Sequence, residues 1–406
     1  MSTETVSPEL AATIARLERG AELIVPQGGL QAKLEKSAKT GKPLRVKLGL
    51  DPTAPDIHLG FAVVLRKLRQ FQDLGHTVVI IIGDYTALIG DPSGRSATRP
   101  MLTKDEITAN AATYVDQLAT ILDRDKTEVR FNSEWLGAMG FADVVTLTAK
   151  MTVAQVLTRD DFKKRWDARE PISLHELLYP LAQAQDSVAI EADIEMGGSD
   201  QTFNILAGRD LQGAVGQDPQ IGLFMPLLVG LDGQKKMSKS LGNYVGIAEP
   251  PLDQYSKVMS LADAQMPQWF LLCTDVPEAE FAALLDSGAN PMNAKHRLAT
   301  EIVTIYHGSD AGIAASAEWK RIHSAGQFPV DAPDVQVTEN PLGIIALLEV
   351  CGVGASNGER KRLIEGGGVS VNGAKIADPK AVVTIADGDE FKAGRKNYAR
   401  LRVAGN

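Results

Sequence analysis

His58, Leu59 and Gly60 follow a short apolar run, and their types suit polyphosphate chemistry. An imidazole can donate to a phosphate oxygen. A glycine lets a base or ribose approach the backbone. If a helix starts near His58, its unpaired N–H groups favour an anion. A second stretch, Lys235 to Ser240, reads Lys-Lys-Met-Ser-Lys-Ser and adjoins Gly242. Ammonium and hydroxyl donors so concentrated can fold over a polyphosphate and stabilise developing charge. Taken singly, each has a plainer reading: a structural histidine near a turn, and a solvated basic turn.

Further polar residues recur at spacings that point the same way. Asp91 lies in a Gly- and Asp-rich loop, Gly83 to Arg95, and suits a substrate ammonium group. A capping Asp in a Gly turn explains it equally well. Tyr179, Gln183 and Asp186 are spaced to share one helix face. That polar face either meets solvent or lines a pocket that contacts both ends of a polar aromatic amino acid. Gly197 and Gly198 permit close approach at a turn, and Asp200 is placed to accept ribose hydroxyls.

These residues need a scaffold. Leu44 to Leu50 reads as a buried strand that Asp51-Pro52 ends. Pro55 and Asp56 make the turn, with Asp56 as candidate N-cap. A helix runs through Val63, Leu68 and Phe71 to Gly75, and Val78 to Ile82 is a second strand. Strand, tight turn, helix and strand open a parallel sheet with a crevice at its carboxyl edge. Residues 8 to 40 read as two helices packed outside the sheet. Residues 103 to 122 form a helix with Thr103 as N-cap and Glu106 three residues on. Val129 to Asn132 is a strand, and residues 133 to 170 are mostly helical. There the charged run Arg159 to Arg169 reads as a solvated face.

The chain has 406 residues, enough for two or three domains. Its 44% hydrophobic and 23% charged residues are an ordinary globular mix. Two cysteines, Cys273 and Cys351, offer neither a metal spacing nor a disulfide framework, as in a reducing cytosol. No apolar run has transmembrane length and the N-terminus carries no secretion signal, so no membrane partner is expected. The net charge of −9 argues against a general nucleic-acid coat protein. Residues 340 to 406, however, hold ten basic and seven acidic side chains, leaving −12 for the remainder. RNA contact concentrated at the C-terminal end follows.

Taken together, His58-Leu59-Gly60 and Lys236-Met237-Ser238-Lys239-Ser240 resemble the two signature motifs of class I aminoacyl-tRNA synthetases. With Asp91, Tyr179, Gln183, Asp186 and Gly197 to Gln201 the resemblance narrows to the bacterial tyrosyl-tRNA synthetases and covers nearly the whole chain. It implies an α/β fold: a Rossmann-like doubly wound parallel sheet, then an all-α domain, then a small α+β RNA-binding domain. The expected bounds are 1–245, 246–330, a proline-marked linker at 331–341, and 342–406, with a helical dimer-forming insertion at about 100–170.

The resemblance also implies roles. His58, Lys236 and Lys239 act on the phosphates. Gly49, Gly60, Gly198, Asp200, Met237, Ser238 and Ser240 join them in binding ATP. Asp51, Asp91, Tyr179, Gln183, Asp186 and Gln201 bind tyrosine, Asp186 taking its phenol. ATP arrives with Mg²⁺ as substrate, and no resident metal or other cofactor is implied. The partners are L-tyrosine and tRNA(Tyr), and the enzyme is a cytoplasmic homodimer. In the tail, Arg360, Lys361, Arg362, Lys375, Arg395 and Lys396 are candidates for structured RNA, or simply a solvated basic surface. The chain departs from the family at Phe61, where a second histidine is usual. It departs again at Lys47, where one branch has a tyrosine, and at Gln185, beside Asp186, where an aromatic is frequent. Phe61 raises the alternative of a non-catalytic RNA-binding paralogue. Lys47 and Gln185 raise that of a synthetase for tryptophan or another aromatic amino acid.

Overall fold

The computed structural model describes residues 7–51, 57–91, 106, 117–323, 328, 332–394 and 397–403. The chain divides into two compact units, Met1–Ile313 and Ala314–Asn406.

A six-stranded sheet organises the first unit. Its strands are β1 (Leu23–Val25), β2 (Arg45–Leu50), β3 (Thr77–Ile82), β4 (Thr127–Phe131), β5 (Ile194–Gly198) and β6 (Ile221–Met225). They lie in the order β1-β6-β5-β2-β3-β4. All pairs are parallel except β1 with β6. Val78 to Ile82 are wholly buried, as a central strand covered on both faces must be. From β2 the chain moves outward to β3 and β4, then returns to β5 on the other side. The order therefore reverses between β2 and β5, and a crevice opens at their carboxyl ends.

Several expectations are corrected. Residues 8 to 40 hold more than two helices outside the sheet. Leu23–Val25 is an edge strand between helices Pro8–Glu18 and Gly29–Thr40. Three residues are too few for periodicity to show. The helix after β2 spans Leu59–Asp73, and its N-cap is His58 rather than Asp56: His58 Nδ1 accepts the Phe61 N–H at 3.3 Å. Pro55, Asp56 and most of the 103–122 helix lie outside the described residues.

The run Arg159 to Arg169 is not uniformly solvated. Arg159 and Arg165 are only 6% and 4% exposed. Arg165 pairs with Glu176, and Arg159 pairs with Asp161 and donates to Asn204. Charge density in a sequence does not say which members find buried partners.

Helices Pro251–Met259, Met266–Cys273, Glu278–Leu284 and Pro291–His307 follow the sheet within the first unit. No helix of the described residues is long and apolar enough to cross a membrane.

The second unit carries a five-stranded sheet. Its members are β7 (Asp334–Val337), β9 (Val369–Val371), β10 (Ala374–Ile376), β12 (Glu390–Ala393) and β13 (Asn397–Val403). The order is β10-β9-β12-β13-β7, and β8 (Leu342–Gly343) pairs separately with β11 (Val382–Val383). β7 falls in the stretch expected to be linker; it pairs in parallel with β13. Helices Ile344–Val350 and Asn357–Glu365 share with this sheet a core around Leu347, Ile364, Phe391 and Leu401.

Candidate functional site

The crevice between β2 and β5 is a cavity of about 890 Å³. Gly49 and Asp51 enter it from the end of β2, His58 and Gly60 from the helix start, and Asp91 from the loop after β3. Tyr179, Gln183 and Asp186 line it from one face of helix Tyr179–Ala189. Gly198, Asp200 and Gln201 reach it from the end of β5, and Lys236, Met237, Ser238 and Ser240 from the basic loop. Lys239 belongs to the same loop but not to the cavity wall; its charge acts on His58.

Asp186 is buried at one end. Its Oδ1 accepts the Trp135 indole N–H at 2.8 Å and its Oδ2 the Asn132 amide at 3.4 Å. Burial pushes its pKa up to about 7, against the opposing pull of the Lys47 ammonium and of these two donors. Trp135 sits on the short helix Ser133–Leu136 and Asn132 just before it. Sequence reasoning reached neither. Asn132 stood only as the end of a strand, and a sequence separation of 54 from Asp186 hides the contact.

Acceptors gather along the same helix face. The Tyr179 hydroxyl donates to Asp51 Oδ2 at 2.9 Å, and Thr86 donates to Asp51 Oδ1 at 2.8 Å. Burial, and then the charge of Asp51, hold the Tyr179 phenol well above its ordinary pKa, so it remains a donor. With its O–H engaged by Asp51, its oxygen keeps lone pairs for a ligand. Gly83 makes this packing possible: a Cβ there would stand 2.1 Å from Asp51 Oδ1 and 2.3 Å from Thr86 Oγ1. Asp91 Oδ2 accepts from Gln201, whose own oxygen accepts from Asn204, which in turn accepts from Arg159.

At the other end the basic loop rests on the helix start. Met237 Sδ receives the Gly60 N–H at 3.2 Å, and a Cβ on Gly60 would come within 3.2 Å of Met237 Cβ. Asn243 braces the loop by accepting from Ser238 N and donating to Asp232. Lys236 donates to Asp200 at 2.9 Å. His58 falls to a pKa of about 4, first through burial and then through Lys239, so it is neutral near pH 7. Because Nδ1 accepts the Phe61 N–H, the proton resides on Nε2 as a donor. Phe61 lines the cavity, whereas Lys47 and Gln185 do not.

The tail candidates divide. Lys361, Arg362 and Lys375 are exposed. Arg360 is tied to the Val353 carbonyl at 3.0 Å and to Asn357 at 2.8 Å, so it braces its own helix. Arg395 and Lys396 lie outside the described residues.

A profile described as "tRNA synthetases class I (W and Y)" matches residues 39–324, the stretch that builds the cavity and its loop. A tyrosine–tRNA ligase of Moorella thermoacetica is 51% identical over 97% of each chain. One from Symbiobacterium thermophilum is 48% identical over 95% of this chain and 96% of its own, and one from Bordetella pertussis 46% identical over 98% of each. Among solved structures, a truncated mitochondrial tyrosyl-tRNA synthetase of Coccidioides posadasii superposes with TM-score 0.60 at 24% identity, over 76% of this chain and 91% of that one. A tyrosyl-tRNA synthetase of Archaeoglobus fulgidus, solved with L-tyrosine, gives 0.58 at 21% identity, over 76% and 99%. At such identities these likenesses speak for the fold alone. The profile over the cavity, and relatives about half identical from end to end, establish that this chain belongs to the class I aminoacyl-tRNA synthetases as a member of the tyrosine–tRNA ligase family.

Proposed function

We propose that the chain activates L-tyrosine with ATP in this cavity and passes the tyrosyl group to the 3′ end of tRNA(Tyr). A tyrosine carboxylate oxygen attacks the α-phosphate in line, and pyrophosphate leaves. The terminal ribose hydroxyl of the tRNA then attacks the tyrosyl carbonyl and displaces AMP. No side chain need form a covalent bond; position and charge stabilisation suffice.

The observation that carries this reading is Asp186, a buried carboxylate held by Trp135 and Asn132 at the end of a polar helix face. Ionised, it accepts the phenol hydroxyl of tyrosine. Phenylalanine would leave it unpaired, a discrimination of which tyrosyl-tRNA synthetases are themselves the standard illustration. Tyr179, Gln183, Asp91 and Asp51 surround the ammonium group, with Gln201 holding Asp91. Asp200 and Gly198 meet the ribose, while Gly49 and Gly60 let the nucleotide approach. Neutral His58 donates to the phosphates from Nε2. Lys236 and Lys239 close over them with Met237, Ser238 and Ser240, Lys236 leaving Asp200 as it does so. Magnesium accompanies ATP as part of the substrate. With Phe61 unable to donate, His58 and the two lysines supply the phosphate contacts.

Lys361, Arg362 and Lys375, together with Arg395 and Lys396, contact structured RNA through phosphate and shape. The tail from residue 342 acts as the RNA-binding domain, and the helices of residues 246–330 lie between it and the catalytic part in the chain. Two copies pair through the insertion, where Phe141, Val145, Val153 and Trp166 are 85%, 52%, 60% and 63% exposed. The enzyme works in the cytoplasm.

Tyrosine-dependent ATP–pyrophosphate exchange, with phenylalanine and tryptophan as controls, tests the reading. Exchange with tyrosine alone is expected. Exchange with another amino acid instead, or none at all while RNA still binds, would overturn it.

A further inference from the structure

Lys47 and Glu195 face one another in register across β2 and β5, and their side chains are 0% and 1% exposed. Glu195 Oε1 accepts from Lys47 at 2.9 Å and from the Gln183 amide at 3.0 Å. Its Oε2 accepts from Ser187 at 2.9 Å and from Gln220 at 2.6 Å. Lys47 also donates to the Gln183 carbonyl at 3.1 Å and to Ser187 Oγ at 2.8 Å. The pair thus grips helix Tyr179–Ala189 at two points that flank Asp186. Neither residue lines the cavity.

An ionised carboxylate has only acceptors. Lys47 supplies its counter-charge, so the Gln183 amide must turn its nitrogen toward Glu195. The flipped amide would set two acceptors together in a buried place and forfeit a charge-assisted bond. Gln183 lines the cavity, and its side-chain oxygen takes no hydrogen bond among the described residues. It joins the Tyr179 oxygen, Asp51 and Asp91 in a set of acceptors that suits an ammonium ion.

We propose that the buried Lys47–Glu195 pair is a positioning and specificity device: it fixes the Gln183 amide oxygen-outward and so makes the pocket select substrates that bear an ammonium group. The proposal rests on the tyrosine site described above. An amide in place of the Glu195 carboxylate can donate as well as accept. The constraint on Gln183 would then vanish although no cavity residue had changed.

The test compares two inhibitors of tyrosine-dependent ATP–pyrophosphate exchange: tyrosinol and 3-(4-hydroxyphenyl)propan-1-ol, which differ only in the ammonium group. The variants are the double Lys47→Met/Glu195→Gln, which removes both charges with chains of similar size, and the single Glu195→Gln. Thermal melting selects those that fold. The preference for tyrosinol should fall about tenfold, the worth of one hydrogen bond to a charged group. KM for tyrosine should rise while KM for ATP stays put; a general structural defect would not separate these readouts. A folded variant that keeps the wild-type preference overturns the role of the pair. Failure of the wild-type chain to catalyse tyrosine-dependent exchange removes the site reading itself.

Discussion

The Trp135 indole N–H donates to Asp186 Oδ1 at 2.8 Å, binding a residue of the short helix after β4 to the buried end of the cavity. Asp186 nevertheless has a pKa near 7, because burial outweighs its donors and the Lys47 charge. Its folded value lies above the ordinary 3.8, so the folded chain holds this proton more tightly than the unfolded one. The resulting contribution to stability is present below pH 3.8 and is lost as pH rises toward about 7. For tyrosine binding the sign is opposite, since only the ionised form purely accepts. KM for tyrosine is expected to rise as pH falls from 8 to 6, with KM for ATP following no such slope. Asp186→Asn should abolish the slope; a slope that survives this change would assign the titration elsewhere.

Trp135→Phe removes one donor from that carboxylate and keeps most of the ring's bulk. The Asp186 pKa should move up, shifting the pH dependence of KM for tyrosine to higher pH. Loss of one charge-assisted bond costs about 1.5–3 kcal/mol, so tyrosine binding at pH 7 should weaken at least about tenfold. Steady-state kinetics across pH would show it, and an unshifted profile would deny Trp135 the role.

His58 both caps its helix through Nδ1 and presents Nε2–H to the cavity. His58→Ala should slow pyrophosphate exchange about 100-fold, the usual cost of one preorganised donor of about 3 kcal/mol. It should also lose about 1 kcal/mol of helix capping. His58→Asn keeps a cap and a donor and should recover part of both. Since His58 is neutral above a pKa of about 4, neither variant should change the shape of the pH–rate profile between 5 and 8. Lys239→Ala should cost a similar 100-fold in rate; unaltered exchange in either alanine variant would refute these roles.

The Lys236–Asp200 contact is part-exposed, with side chains 47% and 25% accessible, so it is a weak latch. Asp200→Asn should speed trypsin cleavage in the Lys235 to Lys239 loop by no more than about fivefold. ATP should suppress that cleavage in the wild-type chain by drawing the loop onto its phosphates. A loop equally sensitive with and without ATP would argue against closure.

Lys47→Met alone should destabilise the first unit by about 3–5 kcal/mol, because Glu195 would remain buried without its counter-charge. The double Lys47→Met/Glu195→Gln should recover much of this in thermal unfolding. Equal melting of the single and double variants would show that the pair is not coupled.

The sequence by itself determined the parts that depend on local chemistry. β2 and β3 were legible because parallel strands buried on both faces read as apolar runs. The polar face of Tyr179, Gln183 and Asp186 was legible from helical spacing. The two signature stretches were legible because His58-Leu59-Gly60 and Lys236 to Ser240 together resemble the family's paired motifs, and their imidazole, ammonium and hydroxyl groups suit a polyphosphate. Tertiary structure decided the rest, for physical reasons that spacing does not carry. A three-residue edge strand has no period to detect, so β1 was hidden. Arg159 and Arg165 looked like solvated charge, yet partners 45 and 11 residues away bury them. Trp135 and Asn132 reach Asp186 only because the sheet brings the end of β4 beside helix Tyr179–Ala189. Lys47 read as an odd residue at a substrate position, but the pleat turns it away from the cavity toward Glu195 on the neighbouring strand. Local sequence chose the chemical groups; long-range pairing decided which of them are buried, which way each faces, and what charge it carries.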